Sequence, residues 1–445
     1  MDALQQILFA LIAITAIVLF AKKVGQIRRN ILLGRPEDYS DNPGLRWKNV
    51  LLLAFGQKKM FRNPLVAVIH LLIYVGFVII NIEVLEIALD GLLGTHRLFS
   101  RLSSPVYLFL IDAFELLALG VLLACVIFLC RRNILKLRRF LSHDLDGWPR
   151  SDANYILITE IILMLLFLTM NAADTLLQTR GYGHYGTVTT GDFLVSRGLH
   201  PLLSGLSSPA LVSLERTCWW LHIIGIFAFL NYLPYSKHLH IIFAFPNAYY
   251  ARLAPEGKLK NMPAIQQEVL YAVQPELAPP APAAGEAAPV VPKFGAKDVF
   301  DLSWRNLLDA YSCTECGRCS AACPANLTGK VLSPRKIMMS TRDRLEEVGR
   351  NINTNGEFKD DGKSLLDYIS VEELRACTTC NSCVEECPVS ISPLEIIVEM
   401  RRALVMEDSN VPAEWTGLFS NIENNFAPWK FSPDDRDKWT NENIR

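Results

Sequence analysis

Eight of the eleven cysteines fall into two runs of identical spacing. The first is Cys313, Cys316, Cys319 and Cys323, followed by Pro324; the second is Cys377, Cys380, Cys383 and Cys387, followed by Pro388. Each run reads C-x2-C-x2-C-x3-C-P, the spacing that wraps [4Fe–4S] clusters, with the fourth cysteine of each run ligating the other cluster. Three closely spaced thiolates reach three corners of one cubane only from a short, tight loop, and the proline then turns the chain away. One cluster is expected on Cys313, Cys316, Cys319 and Cys387, the other on Cys377, Cys380, Cys383 and Cys323. Paired C-x2-C motifs also build zinc ribbons, but zinc takes four ligands. Two groups of four, each closed by Cys-Pro, fit two clusters better. The remaining Cys125, Cys130 and Cys218 sit in or beside apolar segments and read as packing residues. Thiolate clusters belong to a reducing compartment, so this part of the chain is expected in the cytoplasm.

A second set of reactive side chains lies in the apolar half. His70 is about two turns into one apolar segment; His222 and His240 lie at opposite ends of another. Eighteen residues separate the last two. On a continuous helix that is about five turns and a rise of ~27 Å, close to a bilayer's thickness, with both rings on one face. One helix could then carry haem ligands at two depths, while His238 turns roughly 160° away from His222. Asn81, Glu83, Glu86, Asp112, Glu115 and Asp174 lie in or near the same segments. Quinone chemistry couples two electrons to two protons, so Glu83 or His222 could serve a quinone; rim carboxylates that merely reach water are the plainer reading.

These residues must be positioned by five segments long and apolar enough to span a bilayer, near 4–21, 64–89, 106–130, 154–174 and 217–236. The first lacks a basic start and a small-residue cleavage site, and Lys22, Lys23, Arg28 and Arg29 follow it, so it reads as a retained helix. The loops after the first and third segments are rich in Lys and Arg, including Arg46, Lys59, Arg62, Arg131, Arg132 and Arg139. By the positive-inside rule these loops are cytoplasmic and the N-terminus is outside. Five spans then end inside, where the cysteines need to be. The expected localisation is a multi-pass protein of a prokaryotic inner membrane.

Beyond the fifth segment, Pro and Ala alternate through roughly 276–293, which reads as an extended, semi-rigid linker able to span tens of ångströms. Each cysteine run is followed by Ser-Pro and a helical pattern, at Ser333-Pro334 and Ser392-Pro393, an internal repeat with Ser as N-cap and Pro at the first helical position. The expected domains are a five-helix membrane domain over 1–250, a Pro/Ala-rich linker over 251–295, a two-[4Fe–4S] domain over 296–406 and a tail over 407–445. Trp415, Trp429 and Trp439 make the tail a candidate docking segment. The fold class is all-α: a five-helix transmembrane cytochrome b bundle plus a mainly helical, ferredoxin-like cytoplasmic domain. A net charge of −1 points away from nucleic acid, and no G-x-G-x-x-G after a strand and no P-loop is present.

The stretch WWLHIIGIFAFLNYLPYSKHLH resembles the last helix of the gamma subunit of respiratory nitrate reductase, with His222, Pro234 and His240 in register. VIHLLIYVGF resembles that family's second helix, with His70 at its first haem histidine. The resemblance implies that His70 and His240 bind a b-haem near the cytoplasmic face. The family's partner for His222 is a second histidine ten residues after the first, and Ile80 stands there instead. His222 therefore either takes a partner such as His200, His184 or His96 for a second haem, or serves a quinone site.

LLDAYSCTECGRCSAACPANLTGKVLSPRK and CTTCNSCVEECPVSISPLEII resemble the two-cluster domain of heterodisulfide reductase C subunits. Their fused relatives include glycolate oxidase iron–sulfur subunits and membrane reductases fed by electron-transferring flavoprotein. The tail NIENNFAPWKFSPDDRDKW resembles the segment that in such fusions leads into a cysteine-rich CCG module, and no CCG motif is present. The resemblance implies an electron-transfer subunit linking the quinone pool, a b-haem, two [4Fe–4S] clusters and a partner. That partner is expected to be a separate CCG-domain subunit or a soluble electron-transferring flavoprotein. A quinol-fed heterodisulfide or thiol reductase subunit and a redox-sensing anchor are the alternatives.

Overall fold

The computed structural model describes residues 3–102, 104–187, 190–255, 257–279, 293–430, 432–435 and 437–442. It is 73% helical, and the described residues form no strand. Five helices are long and apolar enough to cross a membrane: α1 (Ala3–Ile31), α2 (Pro64–Leu93), α3 (Ser104–Asn133), α4 (Trp148–Thr179) and α5 (Ser208–Tyr232). Asn63 and Ser207 start α2 and α5 by accepting from the Val66 and Ala210 N–H groups, each with Pro in the first turn. Phe114, Phe167, Trp219 and Ile223 form the centre of the bundle, while Leu4, Leu11, Val18, Leu65 and Phe109 stay exposed on its outside. An apolar exterior is the surface a helix presents to lipid.

The two ends of the bundle differ. At one end Glu86, Glu115 and Asp174, three of the carboxylates singled out in the sequence, are tied into a buried network. Arg97 donates to Asp174, and to Asn171 Oδ1 at 2.8 Å. Glu115 accepts from Asn171 and from the Val195 and Ser196 N–H groups, and Glu86 accepts from the Phe99 N–H and the Tyr107 hydroxyl. These side chains do not reach for water; each has a fixed partner, as buried polar groups must.

At the other end the chain departs from the continuous helix expected between His222 and His240. Helix α5 stops at Tyr232; tight turns follow at Leu233–Tyr235 and Lys237–Leu239, with Ser236 extended between them. Pro234 lacks the N–H that would continue the helix. Asp152 at the start of α4 holds the break, accepting from the Tyr232 and Ser236 hydroxyls and the Lys237 N–H. A new helix, α6 (His240–Tyr249), begins at His240 itself. Five continuous turns therefore do not separate His222 from His240, and His238 is not turned away but faces the same cavity as His240.

After α7 (Pro263–Val273) and a turn at Pro275–Leu277, residues 280–292 of the expected linker lie outside the described residues. The cysteine half is a twofold helix–loop–helix repeat. Helix α8 (Trp304–Ser312) runs into Cys313, and α9 (Pro334–Asn355) follows the first run; α10 (Val371–Ala376) runs into Cys377, and α11 (Pro393–Arg402) follows the second. Capping boxes at Ser303/Asn306 and Ser370/Glu373 start α8 and α10. Ser333 and Ser392 cap α9 and α11 as expected, accepting from the Lys336 and Glu395 N–H groups.

This half does not hang from its linker. Twenty-nine residues give α1 a length of ~44 Å, against ~30 Å for a bilayer core. Its surplus end inserts Ile27 and Ile31 into the apolar core of the cysteine half. Lys23 pairs with Glu346 at 3.0 Å, Asn30 donates to the Tyr311 hydroxyl at 3.0 Å, and Arg335 pairs with Asp144 at 2.5 Å. The two halves are one docked body.

Candidate redox sites and the cavity between them

The two cysteine loops share an unusual backbone. Glu315 and Thr379, one residue before the second cysteine of each run, have φ of 53° and 55°; Gly317 and Asn381, one residue after it, have 73° and 62°. Side chains rarely adopt this left-handed region, and its repetition at matched positions bends both loops round a central object. The thiols fall into two groups. Burial raises Cys319 well above the ordinary thiol value, with Cys316, Cys313 and Cys387 adding most of the rest. Burial also pushes Cys383 up to about 12, helped by Cys377, Cys323 and Cys380. Cys387 rises to about 12 through burial, with Cys316 and Cys313 contributing. The fourth cysteine of the second run thus neighbours the first run, and Cys323 neighbours the second. Thiols gathered this closely ionise together only beside a cation. Among the described residues, no three His, Cys, Asp or Glu side chains converge on a point where a single ion would sit.

Glu315 lies between Cys313 and Cys316 and is buried. Burial pushes its carboxyl up, but Arg342 and Lys237 outweigh this and hold it below the ordinary value. Its contacts are Lys237 Nζ at 2.5 Å and Arg342 Nη2 at 2.7 Å. Lys237 belongs to the break after α5, so one salt bridge joins the first cysteine loop to the membrane half.

The histidines sit on the other side of that bridge. The rings of His70 and His240 face one another, centroids 6.5 Å apart. Two imidazoles on opposite sides of one metal, each bonded at ~2 Å through Nε2, place their ring centres ~6 Å apart, so the pair fits a bis-histidine haem. Nδ1 of His70 lies 3.1 Å from Gln57 Oε1, and Nδ1 of His240 donates to the Lys237 carbonyl at 3.0 Å. Such bonds orient a ring and leave Nε2 free to ligate.

Both rings line a cavity of about 460 Å³, and so do Cys316, Arg131, Arg132, Arg139 and Arg318. The Nε of Arg139 is buried without a partner. Guanidinium groups beside an apolar slot suit the two carboxylates at the edge of a haem. His222 also lines this cavity, its Nδ1 3.0 Å from the Leu163 carbonyl. The expected alternative partners do not approach it. His96 and His184 pack together with centroids 5.3 Å apart, His96 lies 3.2 Å from Asp174, and His200 lies 2.9 Å from Thr175 Oγ1, all in the far network. Glu83 is buried in the bundle with Oε2 unpartnered, but it does not line the cavity. Lys237, Glu315, Gln57 and Arg318 have no distinguishing signal in the sequence, and Arg131, Arg132 and Arg139 read there only as basic-loop residues, because these roles depend on docking. Glu160 also escaped notice and does line the cavity; an ionisable residue amid the fourth apolar span was a readable signal.

Residues 312–391 match the 4Fe-4S dicluster domain family. The chain is 26% identical to the probable iron–sulfur-binding oxidoreductase FadF of Bacillus subtilis, over 98% of this chain and 61% of that protein. It is 26% identical to the EtfAB:quinone oxidoreductase of Syntrophomonas wolfei, over 88% of this chain and 53% of that protein. It is 34% identical to the C subunit of a CoB-CoM heterodisulfide reductase of Methanosarcina acetivorans, over 24% of this chain and 52% of that protein. The chain thus spans between half and two thirds of these relatives. No solved structure matches it. The relatives are iron–sulfur oxidoreductases, and this chain is an all-α membrane protein with a 4Fe-4S dicluster domain.

Proposed function

We propose that the chain relays electrons between a quinone in the membrane and a soluble partner. The observation that carries this reading is the shared cavity: the His70–His240 pair and Cys316 of the first cysteine run line one enclosure. A b-haem held by His70 and His240, and [4Fe–4S] clusters held by Cys313, Cys316, Cys319, Cys387 and by Cys377, Cys380, Cys383, Cys323, would supply one-electron carriers at adjoining positions. The protein's own groups do the positioning. Lys237 orients the His240 ring through its carbonyl and grips the first cysteine loop through its ammonium. Arg131, Arg132, Arg139 and Arg318 supply positive charge where carboxylates would sit.

The basic loops lie at the same end of the bundle as the docked cysteine half, which supports a cytoplasmic orientation for both. Similarity to an EtfAB:quinone oxidoreductase supports a quinone at one end. At the other end the same similarity supports an electron-transferring flavoprotein, and likeness to a heterodisulfide reductase C subunit supports a partner subunit. A docking element is at hand in α12 (Ala413–Asn425), where Trp415, Phe419 and Ile422, with Phe426 just beyond, leave an exposed apolar stripe at helical spacing. The test is anaerobic addition of a menaquinol analogue to the purified chain in lipid. Reduction of haem and cluster signals is the expected result; centres that are present but never change redox state would sink the quinone link.

A further inference from the structure

The cavity extends past the paired histidines. Ten residues of α5, ~15 Å of helix, separate His222 from the helix end that leads to His240. There the wall is mostly apolar, formed by Ile80, Val84, Val121, Leu163 and Ile226, with Glu160, His222 and the Cys125 thiol as its ionisable groups. Glu160 makes no hydrogen bond or ion pair among the described residues, although a carboxylate inside an apolar bundle needs a partner. Since Nδ1 of His222 bonds to the Leu163 carbonyl, its Nε2 is left to face a ligand. Glu160 and Leu163 are three residues apart on α4, so Glu160 and the carbonyl that holds His222 lie about one turn apart along that helix. The enclosure is also open sideways. Phe77, Val78 and Asn81 of α2 line it and are exposed on the outside of the bundle, where lipid would lie.

The geometry points to a quinone headgroup site between Glu160 and His222, entered from the lipid beside Val78 and Asn81. It deepens the electron-relay reading and rests on it. A quinol offers two hydroxyls, one hydrogen-bonding partner for each group. On oxidation both O–H bonds break; one proton passes to Nε2 of His222 and the other to the Glu160 carboxylate. The two electrons leave singly to the iron centres assigned above, and quinone reduction is the reverse. Glu83, whose free oxygen is sealed in the bundle rather than facing the cavity, takes no part.

The experiment uses the full chain in lipid nanodiscs and a fluorescent quinol analogue, a heptyl-hydroxyquinoline N-oxide, whose quenching reports binding independently of turnover. Glu160→Gln and His222→Ala should each weaken binding about tenfold, the loss of one hydrogen bond to a buried polar group, with haem absorbance and iron content unchanged. Val78→Trp, which narrows the side opening without touching either group, should slow association, and Glu83→Gln should bind as the parent does. Binding within twofold of the parent in both cavity variants would overturn the site, as would loss of haem absorbance on replacing His222, which would make it a ligand. A parent protein without haem or iron would instead overturn the relay reading itself.

Discussion

The two cysteine runs have one spacing and one backbone path, yet their tips sit in different surroundings. The first is turned inward. Cys313 and Cys323 are buried, Cys316 lines the membrane cavity, and Glu315 is clamped by Lys237 and Arg342. A Cβ on Gly317 would meet Arg335, which is itself tied to Asp144 of the membrane half. The second is turned outward: Thr378, Thr379 and Cys380 are exposed at its tip. Its carboxylates Glu385 and Glu386 reach Arg62 only at the rim. Burial, hydrogen bonds and nearby charge set the potential of an iron–sulfur site. A duplicated loop therefore acquires two ends by docking alone, one facing the histidine-lined cavity of the membrane half and one facing solvent.

The strongest break in that contrast comes from deleting a ligand on each side. Cys316→Ala and Cys380→Ala should each lower iron content by about half, since each cubane needs four ligands. Only the first should stop reduction of the surviving cluster by quinol; the second should spare it and abolish transfer to a soluble acceptor. Identical kinetics in the two variants would erase the inward–outward distinction. Next in size, His70→Ala should remove haem absorbance while leaving both clusters, measured by spectrum and iron assay. A more moderate effect follows from the bridge. Lys237→Met leaves Glu315 short of a buried partner, at a cost of about 2 kcal/mol, and should perturb the first cluster's magnetic spectrum but not the second's, with Lys237→Arg restoring it.

Acid should loosen the inward side first. Asp144, where Arg335 outweighs the upward push of burial, and Glu315 both sit below their ordinary values. A carboxyl lowered in the folded state stabilises it fully above its unfolded value, about 4, and that support is lost as pH falls through and below it. Hydrogen-exchange protection of the 138–144 loop should fall in that range. The smallest effect on the isolated chain is expected from Trp415→Ala with Phe419→Ala. Cofactor content and stability should stay near the parent's, and only capture of the proposed soluble partner, assayed with an electron-transferring flavoprotein, should weaken.

Part of this contrast is legible in the amino-acid sequence, and the reason is locality. The cysteine spacing marks both loops because cubane ligation is local: three of four ligands lie within one short loop. The five spans are readable because lipid demands long apolar runs. The Ser-Pro caps are readable because capping is a contact between near neighbours. Docking is what the residues alone do not reveal. Lys237 reads as one more basic residue, and only the break after α5 aims its carbonyl at His240 and its ammonium at Glu315. The break itself is signalled by Pro234, but a helical count across it places His238 on the wrong side. The long Pro/Ala stretch reads as reach, whereas α1 and Arg335 fix the cysteine half in place.

One carrier pair at the inward end and two clusters beyond it are the centre of this account, so the most direct measurement is stoichiometric. The chain should be purified anaerobically from membranes and its haem and non-haem iron counted per polypeptide, alongside a reduced-minus-oxidised spectrum. One b-haem and about eight irons, from two four-iron cubanes, are expected, with the haem lost in His70→Ala and in His240→Ala. Absence of haem, or two haems with one surviving both substitutions, would contradict it.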